Sequence, residues 1–306
     1  MRRLLLLLLA CLPAALCAQE GGYSLRFKLS ERNFADSIDI EYDEGRVFVP
    51  VTVGGCRRRF LLDTGAAQAI VYADTDLAQS PPRGSVRSVD ALGEERRVPM
   101  VTLPPLTIGR LTLTGLPATV HQRPQLRQRI DGVIGFDLVC KKLLMKIDVA
   151  RRQLILTDRK KHFQGDPVGF EIPYEVLPYR HTPYIQVSPW RGYTEQVLFD
   201  TGSPFLYLIN RDSFDRGADS LLARNPAQVE RRVQASHVQG LHGKEATSEV
   251  VHLRLDSLSI GAFVLRDVLT HTTRGFSHIG GPILERGSVL FLPHTRRLRI
   301  LPISLH

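Results

Sequence analysis

Cysteine is scarce, with four in 306 residues. Two of them, Cys11 and Cys17, lie in an apolar leader. Cys56 and Cys140 remain, which allows at most one bridge and excludes a disulfide scaffold. One bridge and two free thiols both fit the sequence. Beyond the leader no apolar run is long enough to span a bilayer. The chain has no Gly-x-Ser-x-Gly elbow, no His-Glu-x-x-His helix and no phosphate-binding glycine loop. Ten histidines invite a metal reading. His237 and His242, however, flank a glycine-rich turn without a second ligand pair at useful spacing, so a solvated loop is expected and neither a metal nor an organic cofactor is required. The one tryptophan, Trp190, sits near a turn and reads as a rim or packing residue. Low-complexity sequence is missing outside the leader.

What remains is a soluble, globular composition, with 43% hydrophobic and 23% charged residues. The length suits two domains. Met1-Arg2-Arg3, a leucine-rich run and small residues up to Ala18 read as a secretory signal peptide cut after Ala18. The chain is therefore expected to be exported, periplasmic or extracellular. A rival reading takes Leu8-Leu9-Ala10 before Cys11 as a lipoprotein signal with a lipid anchor at Cys11. The formal net charge is +9, and its positive residues fall in small scattered clusters, such as Arg57-Arg58-Arg59 and Arg159-Lys160-Lys161. No aromatics interleave with them, so they read as solvated turns and strand ends, not as a nucleic-acid surface.

The most informative feature is a repetition. Phe60-Leu61-Leu62-Asp63-Thr64-Gly65-Ala66 recurs as Val197-Leu198-Phe199-Asp200-Thr201-Gly202-Ser203. Each copy follows a hairpin pattern. Val47-Phe48-Val49-Pro50-Val51-Thr52-Val53, a Gly54-Gly55 turn and a return into Asp63 match Pro183-Tyr184-Ile185-Gln186-Val187, a turn at Arg191-Gly192 and a return into Asp200. Thr107-Ile108-Gly109-Arg110-Leu111 resembles Ser259-Ile260-Gly261-Ala262-Phe263, and Val133-Ile134-Gly135 matches His278-Ile279-Gly280. Each half closes with two short strands around a basic turn, at 144–157 and 289–302. This is an internal duplication with a period near half the chain. It predicts an N-terminal lobe over 19–160 and a C-terminal lobe over 161–306, divided at the polar segment 158–167. Brief helices are predicted after Gly135 and Gly281, and another over 215–224.

On these residues the chain resembles the retropepsin- and pepsin-like aspartic peptidases in a two-lobed, single-chain form, and in particular the exported bacterial aspartyl proteases. The resemblance spans roughly residues 40 to 302. It implies a mainly β fold of two pseudo-symmetric, barrel-like lobes with a catalytic cleft between them. It also implies an endopeptidase whose Asp63 and Asp200 share one proton and hold a water. Val133-Ile134-Gly135 and Ile279-Gly280 would buttress the aspartate loops in a ψ-shaped crossing. The alternative is a non-catalytic peptide- or ligand-binding protein on the same scaffold. The partner implied is a peptide or protein substrate lying in the cleft as an added strand. Duplication within one chain makes a monomer sufficient.

The residue types suit that chemistry. Gly65 and Gly202 permit a tight turn. Thr64 and Thr201 carry hydroxyls able to bond across to the opposite loop. Two carboxylates so placed cannot both ionise cheaply. Ala66 offers Asp63 nothing, whereas the Ser203 hydroxyl is expected to bond the outer oxygen of Asp200. That bond would leave the shared proton on Asp63 and make Asp200 the main base, with a less acidic pH optimum than in relatives with hydroxyls on both sides. Residues 86–98, around Leu92-Gly93, read as the flap of the first lobe, and 233–249 as its counterpart. The first flap lacks the tyrosine usual in pepsins, so two flaps in the manner of retropepsin dimers are expected. His278 stands where the second apolar-apolar-Gly element should have its first apolar residue. Residues 19–44 read as strand-rich, with no long zymogen peptide.

Overall fold

The computed structural model describes residues 26–124, 129–177, 180–223, 225–235, 240–244 and 246–302. The leader, with its cleavage and lipid-anchor readings, and His237 lie outside these residues.

Alternation writes the strands. Arg46–Val53 and Cys56–Leu62 form the first hairpin, and the side chains of Val47, Val49, Val51 and Val53 are buried on one face. The turn between them is Gly54-Gly55, both at positive φ. Pro183–Trp190 and Tyr193–Asp200 repeat the hairpin in the second half. The Gly109 and Gly261 turns likewise join paired strands, Leu106–Ile108 to Leu111–Thr114 and Ser248–Ile260 to Phe263–Thr273.

Three sheets result. One carries first-half strands and one carries second-half strands. The third, six-stranded, is shared. In it Leu144–Asp148 pairs antiparallel with Gly287–Leu292, so corresponding strands of the two halves meet at its centre. Gln153–Thr157 and Ala35–Asp39 extend it on one side, and Arg297–Pro302 and Phe170–Pro173 on the other. A continuous apolar core runs through both halves beneath this platform, with Phe136, Tyr174, Phe199 and Phe291 in edge-to-face contact.

The segment joining the halves is docked. Phe163 is buried against Leu144 and Leu290, and Lys146 bonds Asp166 at 2.6 Å. Asp158 accepts from the amides of Asn33 and Phe34.

Helix is sparse among the described residues. Asp137–Cys140 follows Gly135, and a 3-10 turn covers Gly281–Arg286. The longest helix is Arg211–Leu222, which starts before the predicted 215–224. Its cap is the reason: Asn210 Oδ1 accepts from Ser213 N at 3.1 Å and fixes the first turn there. Trp190 is buried, stacks on Tyr193 and donates to Ser220 Oγ, so it is a packing residue. Cys56 and Cys140 do not form a disulfide.

Candidate active site

Each aspartate leaves the return strand of its hairpin and is held by a second strand threaded alongside. Gly132–Ile134 runs parallel to Cys56–Leu62, with Leu62 opposite Ile134, and Asp63 N donates to Ile134 O at 3.0 Å. His278–Gly280 runs parallel to Tyr193–Asp200, with Asp200 opposite Gly280. The register is therefore the same in both halves: aspartate beside glycine. This is the ψ-shaped crossing that the resemblance implied.

The threonines cross-link the loops. Thr64 Oγ1 donates to Phe199 O at 2.6 Å and accepts from Thr201 N at 3.1 Å. Thr201 Oγ1 donates to Leu62 O at 2.8 Å and accepts from Thr64 N at 3.1 Å. Both threonines are fully buried, so six polar groups from two distant segments satisfy one another through four bonds.

Asp63 Oδ1 accepts from Gly65 N at 2.7 Å and Ala66 N at 3.1 Å, and Asp200 Oδ1 accepts from Gly202 N at 2.9 Å. The two carboxyls influence each other's titration. The glycines matter for a reason other than the one residue type suggests. Neither has positive φ. Instead each faces the opposite aspartate: a Cβ on Gly65 would lie 2.6 Å from Asp200 Cγ, and one on Gly202 would lie 2.5 Å from Asp63 Cγ. Close approach, not backbone conformation, demands glycine here.

Burial drives both carboxyls above their ordinary range. For Asp63 the charge and hydrogen bond of Asp200 add to burial and hold it well up. For Asp200 the Asp63 hydrogen bond, the amides of Gly202 and Ser203 and the charge of Arg46 oppose the rise. Arg46, which no sequence signal singled out, donates from Nε to Gly202 O at 3.1 Å across the two halves.

One expectation fails. The Ser203 hydroxyl does not bond Asp200. It lies 2.8 Å from His278 Nε2, while His278 Nδ1 is 2.9 Å from Phe276 O. A carbonyl only accepts, so Nδ1 carries the proton, Nε2 is bare and the hydroxyl must donate to it. A serine hydroxyl bond to Asp200 is therefore not what sets the two carboxyls apart.

Both predicted flaps take part in the site. Pro82–Val89 and Glu95–Thr102 form the first, with its tip at 90–94. Val229–Ala235 pairs with Ser248–Ile260 to form the base of the second. The first tip meets the second half. Phe276 N donates to Ala91 O at 2.9 Å, and His242 N donates to Asp90 Oδ2 at 2.9 Å. Leu241 packs on the first-half cluster of Phe48, Leu61, Ile70, Tyr72, Ile130 and Val133, beside Ala66. His242 itself lies against His121, with ring centroids 5.5 Å apart. Among the described residues no group of three or more His, Cys, Asp or Glu is placed to hold a metal ion.

Two half-chains crossing at paired Asp-Thr-Gly loops, over a shared six-stranded sheet, define the class: the mainly β, two-lobed acid-protease fold of the pepsin-like aspartic proteases. The comparisons agree. Residues 49–138 match the aspartyl protease family. The fold is similar to that of the aspartic proteinase from Irpex lacteus, with a TM-score of 0.58 at 15% identity over 89% of this chain and 98% of that one. Basic 7S globulin from soybean matches with a TM-score of 0.49 at 12% identity, over 89% of this chain and 96% of that one. No curated protein matches the chain in sequence. No helix among the described residues is long and apolar enough to cross a membrane.

Proposed function

We propose that this chain is an aspartic endopeptidase. The observation that carries the reading is the pairing of the two Asp-Thr-Gly loops: cross-linked by Thr64 and Thr201, they set each carboxyl against the glycine of the opposite loop while amides of its own loop hold it. Asp63 holds the shared proton and Asp200 is the base. A water between them gives a proton to Asp200 as its oxygen attacks the peptide carbonyl, while Asp63 protonates the carbonyl oxygen. The diol collapses as the leaving nitrogen takes the proton from Asp200, the C–N bond breaks, and one diol hydroxyl gives its proton to Asp63, so the pair again holds one proton. No acyl-enzyme forms. Thr64, Gly65, Ala66, Thr201, Gly202 and Ser203 support the two carboxyls and do not react. Activity needs one proton on the pair, so it falls on both sides of a window bounded by two apparent pKa values that belong to the pair.

The substrate in this reading is an extended peptide admitted when the flaps part. The lobes are 19–160 and 161–306, working as a monomer exported behind the leader, with no cofactor. The test is cleavage of a diverse peptide library with and without pepstatin. Asp63→Asn and Asp200→Asn are each expected to lower turnover by about a thousandfold or more, the usual worth of a positioned acid or base. Peptide capture without cleavage, unchanged by either substitution, would overturn the enzyme in favour of a binding protein on this scaffold.

A further inference from the structure

The second aspartate loop carries a hydroxyl that could serve its carboxylate, and the structure shows where that hydroxyl goes instead. Ser203 is 8% exposed and His278 is 3% exposed, so neither side chain has water as a ready partner. Ser203 Oγ gives its proton to His278 Nε2 and accepts from Phe205 N at 3.4 Å. His278 is oriented by Phe276 O and by its strand, which pairs with Leu198 on one side and Leu208 on the other. The first lobe has no such pair: Ala66 and Val133 stand at the corresponding places.

We propose that His278 is a positioning residue for Asp200: by taking the Ser203 hydroxyl as its hydrogen-bond donor, it keeps that hydroxyl off the carboxylate and holds the acid limb of the pH–rate profile at higher pH than the same loop would set alone. The proposal deepens the peptidase reading and rests on it. A hydroxyl donating to a carboxylate stabilises the ionised form and moves its titration down. A hydroxyl committed elsewhere does not. His278 is suited to the task because burial holds its imidazole neutral down to about 4, although the Phe276 carbonyl and the Asp63 charge pull the other way. Nε2 therefore stays an acceptor above that pH.

The other charges at the site are accounted for. Asp200 faces Asp63, Arg46 and the Tyr184 phenol. The strands flanking His278 also bring Tyr193, Tyr207 and Glu195, and the Glu195 carboxylate is engaged by Tyr207 and Ser277. None of these donates to Ser203 Oγ.

The test is a set of kcat/KM profiles against pH for the full chain and three variants. His278→Val, which copies the first lobe, frees the hydroxyl. The acid limb is expected to move down by about one pH unit, the share of one hydrogen bond in the shifts seen for well-bonded carboxylates. The double variant His278→Val with Ser203→Ala should return the limb to the parent position. Ser203→Ala alone should leave the limb where it is, whatever it does to the rate. A merely space-filling histidine moves none of these limbs in this pattern. An unmoved limb in His278→Val overturns the proposal. So does an upward shift in Ser203→Ala, which would mean that the serine already bonds Asp200; this arm decides the matter if His278→Val does not fold. Should the parent cleave nothing at any pH, the peptidase reading fails by itself. Carbon-13 titration of the Asp200 carboxyl in the same four proteins then reads the same shift without turnover.

Discussion

The two aspartate loops have one backbone and two sets of neighbours. Strand register, threonine cross-links and facing glycines are the same in both halves. Around that frame the halves diverge. The first has Ala66, Val133 and, after its apolar-apolar-Gly element, the buried carboxyl of Asp137. The second has Ser203, His278 and Pro282. The shared features hold two carboxyls together, and the divergent ones give each a different surrounding.

The largest effects should be the symmetric ones. Thr64→Val strands Thr201 N and Phe199 O in a dry interior, and Thr201→Val strands Thr64 N and Leu62 O. Each stranded group costs about 1–3 kcal/mol, so either variant should lose about 2–6 kcal/mol in urea denaturation. Serine at either place should restore most of it. Losses differing by more than about 2 kcal/mol between the two variants would show that the cross-links are unequal and break the comparison.

Asp137 sharpens the contrast. Its carboxyl is fully buried, one oxygen has no partner, and burial raises its pKa from 3.8 to about 7. A folded-state pKa above the unfolded one contributes stability that is whole below the unfolded value and is lost as pH rises through the folded one. Stability should therefore decline between 3.8 and about 7 on account of this group. The span corresponds to about 4 kcal/mol. Asp137→Asn should leave a flatter profile, and the difference between the two proteins, measured by urea midpoints, should grow with pH. A parallel pair of profiles would mean that Asp137 is ionised in the fold.

Glycine substitutions should cost less stability and more chemistry. Gly65→Ala pushes on Asp200, and Gly202→Ala pushes on Asp63. Displacing a reacting group by about 1 Å costs about a hundredfold in rate. Each variant should thus lose about two decades of turnover while the cooperative unfolding transition persists. Loss of the transition in one variant alone would show that its loop bears more of the fold than its twin.

Much of this was legible because duplication lets one half annotate the other. The hairpins, the aspartate triplets and the apolar-apolar-Gly strands are local patterns, and each appears twice. The threonine cross-links followed from residue type. What escaped depended on contacts between segments far apart in sequence. Nothing near Ser203 announces that His278 will claim its hydroxyl, since the two are brought together only by the parallel pairing of Leu198 with His278. The role of Gly65 escaped for the same reason: the atom it makes room for lies in the other half. The pairing of Leu144–Asp148 with Gly287–Leu292 joins halves whose sequences only resemble each other, and resemblance does not encode adjacency.

The smallest effect concerns the flap tips. Asp90 is 5% exposed and works on both sides of the cleft. Its Oδ1 accepts from Leu92 N and Glu94 N and shapes its own turn, while Oδ2 accepts from His242 N in the other half. Asp90 Oδ2 thus ties the first tip to the second half. Asp90→Ala removes three charge-assisted bonds at an edge that water can reach on opening, so the net loss should be about 1 kcal/mol, well below the value for a sealed interior. Amide exchange at Leu92, Glu94 and His242 should speed up about fivefold, while Phe276 N, bonded to the backbone oxygen of Ala91, changes least. Faster exchange at Leu92 and Glu94 with His242 unmoved would mean that Asp90 only builds its own turn. The first tip would then not be tied to the second half.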